Sequence, residues 1–291
     1  MLKIIEFLSN LILTCKSLFK IATGSKCFSQ SYFDIQNNQK EIVILANGPS
    51  LNDTITQRRQ LLENKRLIAV NAFATSSLYE ELKPEYYVIA DPQFWNNNPI
   101  EGVNNFRDKM LDAISLKTSW PLSMFVPYEA KNKTTLFKLL NSNKNIKPIY
   151  YNKTTIKGFR HFVNWCFKIG LGIPRPQNVL VPSLILAINM GFRKIYIAGA
   201  DHSWHETLAI DNDNRLCISQ YHFYDKGKVE LKPINDIFTG KPTHIHQQFE
   251  SLAITFRNYH IIEKYACYRK AKIYNASEKS YIDAFERIQL K

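Results

Sequence analysis

Five apolar runs in this chain stop at a carboxamide or a carboxylate. Ile42–Ala46 stops at Asn47, Arg66–Val70 at Asn71, Tyr86–Ala90 at Asp91, Lys194–Ala198 at Gly199-Ala200-Asp201, and Ala271–Tyr274 at Asn275. Short apolar runs of this kind read as buried, parallel strands. Their polar ends would then fall along one edge of a sheet, where open α/β sheets bind ligands. Each residue alone is ordinary turn chemistry, since Asn and Asp start turns and cap helices. Five in succession point to a ligand crevice. The first turn, Asn47-Gly48-Pro49-Ser50, is the richest. It offers two hydrogen-bonding side chains, a glycine that lets backbone approach a ligand, and a proline that stiffens the loop. That combination suits a nucleotide cradle.

Two histidine pairs, His202/His205 and His244/His246, are the other reactive groups. A lone histidine near neutral pKa can act as a general base. A zinc site would need three of them plus a carboxylate such as Asp201, and no H-E-x-x-H spacing supports it. Asp211-Asn212-Asp213 is formally D-x-D but lies in a polar stretch away from any strand end, so it reads as a turn. The chain lacks G-x-x-x-x-G-K-[ST], G-x-G-x-x-G after its first strand, and G-x-S-x-G. P-loop hydrolysis, dinucleotide oxidoreduction and serine hydrolysis are therefore disfavoured.

The elements that must hold these groups alternate strand, polar tip and helix. Ser123–Val126 and Pro148–Tyr151 read as further strands, and Val179–Met190 as a helix buried on all sides, with Pro182 in its first turn. Gln247–Arg269 reads as a long amphipathic helix, and a last helix is expected around Tyr281–Ile288. The fold class is α/β, a Rossmann-like, mostly parallel sheet. Residues 202–245 interrupt it with a polar, aromatic segment that holds His202, His205, His222 and His244. A loop of that length in a compact domain is usually a lid. Two units follow: 1–40, an amphipathic helix and connector, and 41–291, the α/β domain with its lid insertion at 202–245.

Across 291 residues, 38 Lys+Arg against 25 Asp+Glu give a net charge of +13. The excess is densest over Lys131–Arg160. It suits an anionic substrate or an anionic membrane surface, and no nucleic-acid-binding consensus accompanies it. Five scattered cysteines without a C-x-x-C pair argue against a disulfide framework and for a reducing cytoplasm. Residues 1–22 are apolar but broken by Lys3, Glu6, Asn10, Lys16 and Lys20, too often to span a bilayer. They suit a helix lying on a membrane or docked on the protein itself, which places the protein in the cytoplasm, peripheral on the inner face of the membrane. The sequence leaves room for a homo-oligomer.

With these pieces placed, the chain resembles the metal-independent bacterial sialyltransferases that decorate lipooligosaccharide, in the same order from Ile42 to about Phe285. The resemblance rests on VILANGPSL, on Asn71 after IAV, on AINMGFRKIYIAGAD, and on the Ile273-Tyr274 strand. The same N-G-P-S and G-x-D features occur in a related group that includes archaeal hydroxymethylpterin pyrophosphokinases and motility-associated factors that glycosylate flagellin. The resemblance implies a variant GT-A-like fold. It also implies a glycosyltransferase of surface-polysaccharide synthesis, moving an acidic sugar from a CMP-activated donor to a glycan or glycolipid without a metal cofactor.

On this likeness Asn47, Gly48, Pro49 and Ser50 would hold the nucleotide, with Asn71, Asp91, Asp201 and Ser203 around it. His246, or else His244, would be the base, and Tyr221 or Tyr224 would bind the leaving phosphate. The family has an asparagine where this chain has Asp91, and lid tyrosines where it has His202-Ser203-Trp204. An ionised Asp91 would repel an anionic donor unless protonated or paired. The alternatives are a pyrophosphokinase with Mg²⁺ on Asp91 and Asp201, and a non-catalytic module of glycan assembly.

Overall fold

The computed structural model describes residues 2–27, 40–98, 100–219, 231–236 and 239–288. Eight parallel strands form one sheet in the order β11-β10-β6-β1-β2-β3-β4-β5. They are β1 (Glu41–Leu45), β2 (Arg66–Val70), β3 (Tyr86–Val88), β4 (Leu122–Pro127), β5 (Ile146–Tyr151), β6 (Lys194–Ala198), β10 (Lys272–Asn275) and β11 (Glu286–Arg287). The chain builds outward from β1 to β5, then returns to pair β6 against the free side of β1. The direction of winding therefore reverses between β1 and β6, and a crevice opens at such a reversal because the flanking connections leave on opposite faces.

Alternation along the strands explains the layers. Ile42 and Ile44 of β1 enter the core on one face, and Val43 and Leu45 enter the core on the other. The first face is covered by α6 (Arg160–Lys168), α7 (Leu180–Asn189) and α8 (Ile245–Tyr268), through residues such as Phe167, Leu184 and Tyr259. The second is covered by α2 (Ser50–Gln57), α3 (Leu78–Leu82), α4 (Glu101–Lys117) and α5 (Thr134–Ser142), through Leu51, Tyr79, Met110 and Leu139. Every residue of α7 is buried, as its uniformly apolar sequence requires.

Three features differ from the sequence reading. The expected terminal helix is absent among the described residues. Ile282 and Phe285 are buried at a spacing that mimics a helix, but the backbone is tied down differently: the Tyr281 amide donates to the Asp201 carbonyl (2.9 Å), and β11 pairs with β10. The long helix α8 begins two residues earlier than expected, so His246 lies inside it and His244 is its N-cap. Within 202–245, a small antiparallel sheet is formed by β7 (Leu208–Ile210), β8 (Leu216–Ile218) and β9 (Lys232–Pro233). Its β7–β8 turn is the D-x-D segment, and Arg215 pairs with both Asp211 (2.8 Å) and Asp213 (2.9 Å). Tyr221 and Tyr224 lie outside the described residues.

Residues 2–24 form one helix, α1 (Leu2–Gly24), and no helix among the described residues is long and apolar enough to cross a membrane.

Candidate functional site

The floor of the crevice is backbone. After β1 and β6 the two chains stay paired for one more step, with the Ala46 amide donating to the Ala198 carbonyl (2.9 Å) and the Gly48 amide to the Gly199 carbonyl (2.8 Å). A Cβ on Gly48 would sit 2.5 Å from the Gly199 oxygen and 2.9 Å from the Asp201 Cγ, so only glycine fits. Gly199 has φ of +70° and abuts Leu51 just as tightly. Pro49 precedes α2, whose first residue, Ser50, is fastened to Asp201. The Ser50 amide donates to Oδ2 (3.0 Å) and the Ser50 hydroxyl to Oδ1. Burial raises the Asp201 pKa, and the two Ser50 hydrogen bonds oppose that rise. Asp201 thus clamps the first turn to the end of β6.

Above this floor lies a cavity of about 890 Å³, lined by the predicted Asn47, Gly48, Pro49, Asn71, Asp91, Asp201 and Ser203. Ser50 stands directly behind them, buried against Asp201. Asn275 is not among the lining residues. It is buried one strand further out, where its Oδ1 accepts from the Ser277 amide (3.2 Å). The Asn47 side-chain Nδ2 donates to the Val70 carbonyl (3.2 Å), which ties the first turn to the end of β2. Asn71 adopts φ of +49° at the end of β2, and the Tyr87 hydroxyl holds its carbonyl. Its buried side-chain oxygen has no hydrogen-bond partner among the described residues.

Asp91 accepts from the Gln93 amide (3.1 Å), and burial raises its pKa, with the Gln93 bond and nearby Lys153 acting the other way. Lys153 is a crevice residue that sequence reasoning missed. It leaves the end of β5, four strands from β1, donates to the Ala90 carbonyl (2.8 Å), pairs with Glu129 (3.0 Å) and lies over the Trp95 ring. Burial and this lysine answer the charge problem that Asp91 poses.

The histidine that lines the crevice is His202, which the sequence reading placed in the lid and weighed among the candidate zinc ligands and lone bases. It has φ of +55°, and its Nε2 lies 2.5 Å from the Tyr259 hydroxyl. Asn178 donates to that hydroxyl (2.8 Å), while its Oδ1 accepts from the Leu180 amide at the start of α7 (3.1 Å). Trp204 packs on the imidazole with ring centres 4.3 Å apart. Burial lowers the His202 pKa to about 3, so it is a neutral hydrogen-bonding group. His244 and His246 are exposed and lie outside the lining residues. The face of α8 that lines the crevice is Gln248, Ser251, Leu252 and Thr255. By helical spacing, His244 stands one turn before Gln248 in that row, and His246 falls out of line with it.

No cluster of three or more His, Cys, Asp or Glu side chains suited to a metal occurs among the described residues. A divalent ion on Asp91 and Asp201 fits poorly. Both Asp201 oxygens already accept from Ser50, and burial disfavours charge on both carboxylates.

No curated protein matches the chain. Among solved structures, the MAf glycosyltransferase from Magnetospirillum magneticum AMB-1 aligns with 89% of this chain and 37% of its own, at 11% identity and a TM-score of 0.48. A mammalian sialyltransferase aligns with 89% of this chain and 78% of its own, at 11% identity and a TM-score of 0.40. The family model for 6-hydroxymethylpterin diphosphokinase MptE-like proteins matches residues 15–207, a span that runs from α1 through β6 and takes in the whole crevice floor. The chain belongs to the MptE-like family.

Proposed function

We propose that this protein is a nucleotide-dependent glycosyltransferase that moves an acidic sugar from a CMP-activated donor to a surface-glycan acceptor. The observation that carries the reading is the bonding of Asp201. Transfer of a pyrophosphoryl group from ATP needs carboxylate oxygens free for Mg²⁺. Here Asp201 instead fastens the Asn47–Ser50 turn in place. The crevice then presents carboxamides, one lysine and a neutral imidazole beside the acids Asp91, Asp201 and Glu206. These can hold a sugar nucleotide and stabilise the leaving phosphate by hydrogen bonds.

In this reading the donor phosphates lie over the Gly48 turn with Lys153 as the nearby cation. Asn71 supplies an acceptor to a ribose or sugar hydroxyl, and the glycan acceptor enters along the α8 wall that Gln248 and Ser251 line. His244 or His246 removes the proton from the acceptor hydroxyl as that oxygen attacks the anomeric carbon. The bond to the donor phosphate breaks with inversion, and the CMP carries away the electron pair. The alignment of His244 with the lining row of α8 favours it over His246. The segment 202–245 serves as the lid that limits donor hydrolysis.

A second reading is favoured by the family's description: a pterin pyrophosphokinase using the same nucleotide turn. A thermal-shift screen separates the two. Ligand at about 100 times its dissociation constant stabilises by about 2.7 kcal/mol. The transferase reading expects this shift with CMP or CDP in EDTA. A shift with ATP-Mg²⁺ alone, abolished by EDTA, would overturn it in favour of the kinase. Once a donor is found, His244→Ala should lower kcat by roughly 10²-fold or more. His246→Ala should leave it nearly intact.

A further inference from the structure

The helix α1 is docked inside out. The row it turns toward the protein mixes polar Asn10, Thr14 and Ser17 with half-buried Leu13 and Ile21, and most of its large apolar side chains face away. Ser17, 2% exposed, donates to the Lys157 carbonyl (2.7 Å) and accepts from the Lys157 amide (2.8 Å). Thr14 accepts from the Phe159 amide (3.1 Å), and Gly158 packs so closely that a Cβ there would meet the Thr14 hydroxyl at 2.1 Å. The opposite row carries Ile4, Leu8, Leu11, Ile12 and Phe19, which are 42–70% exposed. Their spacing of four, three, one and seven residues keeps them on one face. An amphipathic helix that merely completed the core would be turned the other way round.

We infer that the outer face of α1 is a seat for an anionic phospholipid surface. The charges beside it decide between lipid and other occupants. Lys3, Lys16 and Lys20 stand against one acid in the helix, Glu6. Lys157 docks on Ser17, and the segment that follows it carries exposed Arg160, Trp165 (51% exposed) and Lys168 on α6. An apolar face that includes an exposed aromatic, Phe19, and is flanked by lysines is the composition of a helix lying at the headgroup level. A second copy of the chain would bring the same positive rim against itself. The far end of α1 is pinned at the sheet edge that opens the crevice: the Ser25 hydroxyl donates to Thr154 (2.8 Å), next to Lys153. The seat therefore holds the crevice close to the membrane, which favours an acceptor anchored in lipid. The inference does not depend on which group is transferred.

The test is co-sedimentation of the full chain with vesicles of phosphatidylcholine containing a quarter phosphatidylglycerol, and with phosphatidylcholine alone. The wild type should sediment with the anionic vesicles, and much less with neutral ones or at about 0.5 M salt. The triple variant L8E/I12E/F19E should bind about ten-fold less or weaker still. Its nucleotide thermal shift and its far-UV circular dichroism should be unchanged, because all three side chains are exposed. Wild type that stays in the supernatant, or a triple variant that binds equally well, overturns the inference. So does a dimer by light scattering that the triple variant loses in the absence of lipid binding, because a second copy then covers the face.

Discussion

Acidification should destabilise the fold through His202, because the buried imidazole resists the proton that the unfolded chain accepts. A histidine whose pKa falls on folding binds its proton more tightly in the unfolded chain. Its contribution is therefore complete above its ordinary value of 6.5 and is lost as pH falls toward about 3. Integrating the linkage between these values gives a loss of about 2 kcal/mol between neutral pH and pH 5. The carboxylates Asp91 and Asp201, whose pKa values burial raises, act in the opposite sense as pH falls, so the wild-type profile alone is ambiguous. The comparison with His202→Gln isolates the imidazole, since glutamine can keep a polar atom near the Tyr259 hydroxyl but cannot titrate. Urea unfolding at pH 7.5, 6 and 5 should show the variant less stable than wild type at the highest pH. The gap should close by about 2 kcal/mol at the lowest. A gap that stays constant with pH would refute a buried, neutral His202.

Two further substitutions probe the floor and wall. Gly48→Ala drives a methyl into the Gly199 carbonyl, a backbone contact that cannot rotate away. It should cost about 2–4 kcal/mol in urea unfolding and abolish nucleotide binding in calorimetry. A change within about 0.5 kcal/mol would mean that the two turns are not in contact. Lys153→Met removes the cation beside Asp91. It should weaken nucleotide binding about ten-fold and flatten its salt dependence, with stability changed by less than about 1 kcal/mol because the Glu129 pair is partly exposed. Unaltered affinity would exclude Lys153 from the phosphate site.

The strands and the polar groups that end them were legible because both signals are local. An apolar β-branched run and the turn residue that stops it are neighbours in sequence, and Asn47, Asn71, Asp91 and Asp201 do meet in one cavity. What stayed hidden depends on partners far away in sequence. Lys153 reaches the crevice only because β5 lies at the end of a row of strands whose order no local pattern encodes. His202 has its pKa lowered by burial, and the remote residues it is buried against, Tyr259 of α8 and Asn178 before α7, come from other segments. The terminal segment failed for a related reason. Its buried Ile282 and Phe285 match a helical period, but long-range pairing to Asp201 and β10 decides its backbone. Of the two candidate bases, sequence position pointed to His246 as the residue just before the helix; α8 starts two residues earlier, so His246 lies inside it and His244 is the N-cap.

The reversal between β1 and β6 also governs when the site can exist. The Ser50–Asp201 bonds join residues 151 positions apart, so everything between them must be synthesised before the clamp can close. Contacts of such separation close late, because the loop entropy is lost before the contact forms. While the chain is still emerging, β1 has β2 as a neighbour but its other edge is bare, and the Asn47–Ser50 turn has no clamp. Nucleotide affinity should therefore switch on only with the arrival of β6 and Asp201. The same crossing that creates the crevice makes ligand binding a report on completion of the fold.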